Sequence, residues 1–276
     1  MDASVDAKGE ESRQQSGHRM LITPERVFYA GLLGRPRERC PGAFHVYVAI
    51  RDALHLSTSD GQQAHGELAV TMPNLRHTIT SEYRAAICVA IEPESVPDGT
   101  LEAVARQLQG PDAHLFANRI RAAYATLAEM QYREVISNAE FDVMCFGEAL
   151  PQRALDPRVV RAIARIGQFS GEPVTAAGCA AEAALSPSRF LHLFKEETGI
   201  SFRSFRAWKR ARHLLHFANQ DINLAHLAQD IGYPDSTHFS HSIRRFYGLK
   251  PRAIFSGSRD LAIYRAGQVV SEPVLT

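Results

Sequence analysis

Cysteine is scarce in this sequence of 276 residues, and its hydrophobic runs are short. The first 20 residues carry several acids and lack the apolar core of a signal peptide, and no apolar run is long enough to span a membrane. We therefore predict a cytoplasmic protein with no membrane partner. No two cysteines have the spacing of a metal-binding pair, so we expect reduced and mostly buried thiols. The four cysteines are Cys40, Cys88, Cys145 and Cys179.

A strong overall charge is also missing, since the formal net charge is +1. The charges are nevertheless unevenly distributed. Residues 157–265 carry 16 Lys and Arg against 8 Asp and Glu, a net +8, whereas the remainder carries 15 against 22, a net −7. A basic C-terminal half beside an acidic half predicts that only one half meets a polyanion. The length fits two globular domains.

The first half of the sequence predicts a small β domain. Residues 1–18 are polar, and we expect a disordered tail. In the domain expected at 19–136, short runs of β-branched and aromatic residues alternate with turn residues as far as residue 91, which favours an antiparallel barrel or sandwich. Two amphipathic helices follow, at about 100–109 and 112–127. They either pack on the barrel or pair with a second copy of the chain as a dimer interface.

The second half predicts an all-helical domain. Residues 137–156 have the mixed polarity of an inter-domain linker, and Asp156 followed by Pro157 is typical of a helix start. Within 157–258, a short apolar helix, a tight turn and a capped helix with one polar face occur twice, at 175–199 and 223–248. The predicted caps are Thr175 and Ser186 in the first copy and Asn223 in the second, and Gly232 suits the second turn. A C-terminal tail is expected at 259–276. The predicted fold class is α+β: an N-terminal antiparallel β-barrel with two helices, then an all-α domain of two helix-turn-helix units.

Each of the two copies ends in a helix with an apolar and a polar face. Phe190 and Phe194 belong to the apolar stripe of the first, and Phe239, Ile243 and Tyr247 form that of the second. A helix in a DNA major groove needs this division, because one face is anchored while the other offers donors and acceptors to bases and phosphates. An ordinary amphipathic surface helix would show the same division. The candidate DNA-contacting residues on the polar faces are Ser188, Arg189, Leu191, His192 and Lys195, and Ser236, Thr237, His238, His241, Arg244 and Arg245.

Residues 202–218 predict a helix that connects the two copies. As a helix this segment would be about 25 Å long, comparable with the roughly 34 Å of one DNA turn. One chain could therefore place two recognition helices in successive major grooves. Lys209, Arg210 and Arg212 are among its candidates for phosphate contacts, and we include Arg210 in the DNA-contacting set.

The most specific segments of this half are FLHLFKEETG at 190–199, IGY at 231–233, Phe239 and RFYGLKP at 245–251. In this order, over about a hundred residues, they resemble the C-terminal domain of the AraC/XylS transcription regulators. The turn of the first copy has Ala184 where that family often has glycine, and Leu191 offers only an apolar contact, suited to a thymine methyl group. The resemblance implies that the base-facing residues are Ser188, Leu191, His192, Ser236, Thr237, His238 and His241.

The same resemblance implies a cupin-like N-terminal domain. Residues 66–77 resemble the second cupin motif, with Pro73 in the turn and His77 on the next strand. In the first motif, His45 is followed by Tyr47 rather than by a second histidine, and no glutamate follows at the right distance, so we predict no metal and no other cofactor. His45, Tyr47 and His77 are assigned as candidate ligand-binding residues of a pocket, and hydrogen-bonded strand residues are the alternative.

Together these patterns predict a sequence-specific DNA-binding transcription regulator without catalytic residues. We expect control by a small molecule in the barrel and action as a homodimer. The predicted partners are double-stranded DNA, bound through the major groove, a small-molecule effector, a second copy of the chain and, as a further candidate, RNA polymerase. Two alternatives stay open: a cupin-type metal enzyme or a cysteine-based sensor, either of them fused to a DNA-binding domain.

Overall fold

The computed structural model describes residues 17–35, 37–129, 136–169 and 174–265. Of the tail predicted at 1–18, only Gly17 and His18 fall within these ranges, and residues 1–16 lie outside them. Within the described ranges, no helix is both long and apolar enough to cross a membrane.

The strands of the described residues form two sheets. In order of position, the larger sheet is β6-β3-β8-β2-β1-β9 and the smaller is β5-β4-β7. Neighbours are antiparallel except β1 and β9, which are parallel. The predicted strand-rich N-terminal region is confirmed, but its strands form two sheets rather than one closed barrel. The strands are β1 (Arg19–Ile22), β2 (Arg26–Leu32), β3 (Phe44–Ala49), β4 (Leu54–Thr58), β5 (Gln63–Gly66), β6 (Leu68–Thr71), β7 (His77–Ser81), β8 (Ala85–Ile91) and β9 (Ala262–Arg265).

Strand β9 lies in the segment 259–276 for which we predicted a tail. It pairs along its whole length with β1, and Ile263 and Tyr264 are buried. The prediction of a tail is therefore wrong for these residues. Their hydrogen-bonding partners lie at the other end of the chain, where a local sequence pattern cannot reveal them.

Three helices cover the larger sheet: α1 (Thr100–Leu108), α2 (Ala113–Glu129) and α3 (Asn138–Phe146). Leu101, Leu108 and Ile120 are buried in one core with the sheet residues Phe28 and Val89. The apolar faces of α1 and α2 thus pack on their own sheet, which is the first of the two alternatives that the sequence left open.

Helix α3 lies inside the segment 137–156 that we predicted to be a linker. It begins with a capping box, in which Ser137 accepts from the Glu140 N–H while the Glu140 side chain accepts from the Ser137 N–H. Phe141 and Cys145 are fully buried in the core of the larger sheet. This part of the segment therefore belongs to the N-terminal region, because its apolar residues complete that core.

The C-terminal region is helical. The predicted caps Thr175, Ser186 and Asn223 each accept a backbone N–H at the start of a helix. We call α5 and α6 the first unit, α8 and α9 the second unit, and α7 the spacer. The helices are α4 (Pro157–Gly167), α5 (Ala176–Glu182), α6 (Pro187–Thr198), α7 (Phe202–His213), α8 (Leu224–Asp230), α9 (Ser236–Tyr247) and α10 (Pro251–Gly257).

The two units have different cores. The first unit packs with α4 and the start of the spacer, around the fully buried Phe190 and Phe194. The second unit packs with the later part of the spacer and also with β1 and β2, so that Phe239 and Ile243 share a core with Met20. Among the residues that the structure describes, only the second unit therefore shares a hydrophobic core with the N-terminal sheet.

A buried cluster of charges also joins the spacer to the N-terminal sheet. Glu92 follows β8, and its carboxylate accepts a hydrogen bond from Trp208 Nε1 at 2.9 Å. The same carboxylate lies 2.7 Å from Lys209 Nζ and 2.8 Å from Arg212 Nε. Lys209 reaches Glu94 as well, at 2.5 Å. Buried charges persist in proteins when they are paired, so these contacts fix the spacer against the sheet.

Candidate nucleic-acid interface

Helix α6 of the first unit has one anchored and one open face. Ser186 caps the helix by accepting from Arg189 N at 3.3 Å, Pro187 occupies its first turn, and Gly199 ends it with a φ of 74°. Phe190 and Phe194 are completely buried against the spacer. The residues that remain exposed include all five candidates, Ser188, Arg189, Leu191, His192 and Lys195.

Helix α9 of the second unit repeats this division. Asp235 caps the helix, and Gly248 ends it with a φ of 69°. The buried stripe is Phe239, Ile243 and Phe246, whereas the predicted Tyr247 is only partly buried and donates its hydroxyl hydrogen bond to the Ala211 carbonyl. The residues exposed on the other side include all six candidates, Ser236, Thr237, His238, His241, Arg244 and Arg245.

The turns of the two units differ in one residue type. Gly232 adopts a φ of 87° between α8 and α9, as a turn of this kind requires. Ala184 occupies the corresponding place between α5 and α6 and adopts a φ of 53°, which costs a residue with a Cβ about 1–2 kcal/mol. The first turn is therefore strained where the second is not.

The basic residues of the spacer are divided between two roles. Lys209 and Arg212 are held by Glu92 in the buried cluster, so they are not available to phosphates. Arg210 is partly buried between the two units, with its guanidinium 5.9 Å from the centre of the Tyr233 ring. Arg203 is exposed and free to meet a phosphate.

The three candidate ligand-binding residues lie close together, and their polar atoms hydrogen-bond to each other or to backbone carbonyls. His77 Nδ1 donates to the Leu75 carbonyl at 2.9 Å, which leaves Nε2 to accept from the Tyr47 hydroxyl at 2.8 Å. His45 Nδ1 lies 2.9 Å from the Ala43 carbonyl. Burial lowers the pKa of both His45 and His77 to about 4, so both imidazoles are neutral at physiological pH. These contacts favour the alternative in which the three are hydrogen-bonded strand residues.

An open cleft of about 440 Å³ lies elsewhere in the N-terminal region, between the end of β6, the loop after β4 and helix α1. Val70, Met72 and Leu75 supply apolar surface, and Asp60 and Gln109 are among its polar groups. No local sequence pattern predicts this cleft, because its walls come from three separate segments of the chain.

The cysteines are poorly placed for thiol chemistry. Cys40, Cys145 and Cys179 are buried, and burial raises the pKa of the partly exposed Cys88 to about 12. A thiol with a raised pKa carries little of the reactive thiolate at neutral pH. In the described ranges, moreover, no three His, Cys, Asp or Glu side chains converge in a group that could hold a metal ion.

Sequence comparison places this geometry in a known domain type. Residues 179–256 match the family model described as a helix-turn-helix domain. The chain is 33% identical over 111 residues to the HTH-type transcriptional activator RhaS of Escherichia fergusonii, a stretch that is 39% of each protein. It is 29% identical over 85 residues to the arabinose operon regulatory protein of Escherichia coli K12, covering 30% of this chain and 29% of that protein. The chain thus matches less than half the length of these relatives.

Structural comparison covers more of the chain. The crystal structure of ToxT from Vibrio cholerae O395 matches with a TM-score of 0.52 and 11% identity, over 85% of this chain and 98% of that chain. At this identity the likeness concerns the fold alone, and it confirms strand-rich N-terminal sheets followed by a helical domain. These matches confirm the resemblance inferred from the sequence: residues 179–256 belong to a helix-turn-helix domain, and the chain is similar to known transcription regulators.

Proposed function

We propose that this protein is a sequence-specific, DNA-binding transcription regulator whose helices α6 and α9 enter the major groove. One observation carries the proposal: each helix is held by buried apolar side chains on one face and leaves every candidate contact residue exposed on the other. A recognition helix has this form, because its anchored face sets the angle at which the open face meets the bases. The printed names of the relatives, an activator and an operon regulatory protein, support the same role.

The spacer has a suitable length for two recognition helices in successive grooves. Its 12-residue α-helix is about 18 Å long, and the 3₁₀ turn Leu214–Phe217 adds roughly 8 Å. Together they span about 26 Å. The recognition helices lie beyond the two ends of the spacer, so their separation is of the order of one DNA turn, about 34 Å. Arg203 on the spacer, and Arg189 and Lys195 on α6, supply exposed positive charge for phosphates.

Control by a small molecule is the second part of the proposal. The open cleft of about 440 Å³ is large enough for a metabolite and combines apolar walls with carboxylate and amide groups. The shared core connects the sheet that carries β6 to the second unit, and the Glu92 cluster connects the same sheet to the spacer. A ligand could therefore change the position of α9 through a continuous set of contacts. The homodimer, a contact with RNA polymerase and the absence of enzymatic activity stay predictions.

Selection from random double-stranded DNA tests the proposal. We expect an enriched site with two specified segments about 10 base pairs apart, as two recognition helices on one face of the duplex require. Arg189→Ala should weaken binding to that site and lower its salt dependence, because one phosphate contact is lost. Arg106→Ala, an exposed change on α1, is the matched control and should bind like the unchanged protein. If the unchanged protein enriches no sequence over competitor DNA, the proposal is wrong.

A further inference from the structure

The cap of helix α9 uses both oxygens of one carboxylate. Asp235 Oδ1 accepts the backbone N–H groups of Thr237 and His238, each at 2.8 Å. Asp235 Oδ2 lies 2.7 Å from Nδ1 of the His238 ring. The side chain that starts the helix therefore also holds one edge of a side chain that we assign to base contact, and the His238 side chain as a whole remains 69% exposed.

These contacts decide which nitrogen of His238 carries the proton. The His238 backbone N–H and ring, together with the Thr237 N–H, hold the pKa of Asp235 below its ordinary value, so the carboxylate is ionised and can only accept. The hydrogen between Oδ2 and Nδ1 therefore belongs to the imidazole. A neutral imidazole has a single N–H, which leaves Nε2, on the exposed edge, as an acceptor.

From this geometry we propose that Asp235 is a positioning residue that determines which class of base His238 recognises. This inference rests on the proposed function, since it assumes that α9 lies in the major groove. An accepting Nε2 pairs with a base that offers an amino group at the groove edge, N6 of adenine or N4 of cytosine. It does not pair with guanine O6 or thymine O4, which are acceptors themselves. His238 thus selects adenine or cytosine on the contacted strand.

Replacement of Asp235 by asparagine reverses this selection without removing the cap. In Asp235→Asn the side-chain carbonyl oxygen still accepts the backbone N–H groups of Thr237 and His238. The amide NH₂ then lies toward His238 Nδ1. Nδ1 then accepts, the proton moves to Nε2, and the exposed edge becomes a donor for guanine or thymine. The chain already shows such a cap: the Asn223 carbonyl oxygen accepts from Ala225 N and His226 N at 2.9 and 3.3 Å.

Two measurements on the full chain test the inference. Nitrogen-15 NMR of histidine-labelled protein at about pH 8, above the reference histidine pKa of about 6.5, reports the protonated ring nitrogen. We expect Nδ1–H for His238 in the unchanged protein and Nε2–H in Asp235→Asn, with the signals assigned by their loss in His238→Gln. His241 on the same helix is an internal control and should keep its tautomer.

Selection from random DNA at the same pH provides the second measurement. At one position of the selected site we expect the preference for adenine or cytosine to change to guanine or thymine in Asp235→Asn, by on the order of tenfold, with the other positions unchanged. Asn223→Asp is the matched control, because it creates the same acid–histidine pair with His226 on α8. It should leave the selected site unaltered.

The outcomes separate this inference from the function on which it rests. If Asp235→Asn keeps the tautomer of the unchanged protein, or changes the tautomer but selects the same base, the inference is wrong. DNA recognition itself is still supported in that case, provided that the unchanged protein selects a site. An unchanged protein that selects no sequence overturns the proposed function and the base assignment with it.

Discussion

The two helix-turn-helix units have the same local design but different attachments. The first unit has a core of its own, built with α4 and the start of the spacer. The second unit shares its core with the N-terminal strands β1, β2 and β9, and the backbone carbonyl of Arg245 accepts a hydrogen bond from Cys40 N at 2.8 Å. We infer that a change in the N-terminal region reaches the second unit through this shared core, whereas it reaches the first unit through the spacer and through the contact of α6 with residues 93–95.

The largest expected effects come from removing one aromatic ring from each core. Phe194→Ala and Phe239→Ala should each lower the free energy of unfolding of the affected region by about 3–5 kcal/mol, because both rings are buried. Hydrogen exchange followed by mass spectrometry should show different extents of opening. In Phe194→Ala the faster exchange should be confined to α4–α6 and the spacer. In Phe239→Ala it should affect the second unit and the spacer and should extend to β1 and β9. Identical exchange maps would contradict the division into two cores.

The next effect concerns the buried charges that join the two halves. Glu92→Ala should cost about 3 kcal/mol in urea unfolding, at the lower end for a broken buried ion pair, because Lys209 keeps Glu94 as a partner. The control is Glu38→Ala, which removes the exposed ion pair with Arg76 and should cost less than about 1 kcal/mol. Equal losses for the two variants would show that the cluster does not hold the halves together.

A smaller effect distinguishes base contacts from general binding. His192→Ala and His238→Ala should each alter the preferred base at one part of the site, by about 1–3 kcal/mol of discrimination. Arg210→Ala should weaken all sequences alike, because Arg210 lies between the units rather than on a base-facing surface. Measuring the affinity of each protein for a panel of DNA sites that differ by single bases distinguishes a changed base preference from a uniform loss of affinity. A uniform loss for the histidine variants would refute the roles assigned to them.

The smallest effect compares the two turns. Ala184→Gly should raise the free energy of unfolding by about 0.5–1 kcal/mol, since it relieves the left-handed φ at some cost in chain entropy. Gly232→Ala should lower it by about 1–2 kcal/mol, because a Cβ there meets both the same strain and the Arg210 guanidinium at 3.3 Å. Thermal unfolding of both variants checks the signs, and a destabilised Ala184→Gly would contradict the account of the first turn.

Features that depend on neighbouring residues could be predicted from the sequence. The caps Asp156, Thr175, Ser186 and Asn223 and the turn at Gly232 are found where their residue types and spacing placed them. Each depends on a contact between residues a few positions apart, so the local sequence pattern is sufficient to predict it. The exposed faces of α6 and α9 follow from the same helical periodicity.

Features that depend on distant residues could not be predicted. Strand β9 pairs with β1 from the opposite end of the chain, and Glu92 meets a tryptophan and two basic residues that lie more than 110 positions away. The mixed polarity of 137–156 did not predict α3, because the apolar residues of this helix are buried only by packing against the distant sheet. The Asp235–His238 pair was missed although its spacing, an acid three residues before a histidine at a helix start, was visible in the sequence.

Footprinting on the selected site shows whether the two recognition helices contact DNA together, when the unchanged protein is compared with His192→Ala and His238→Ala. We expect two protected major-groove segments about 10 base pairs apart, with each variant losing protection mainly in a different segment. A single protected segment, or the same segment weakened by both variants, would contradict this expectation.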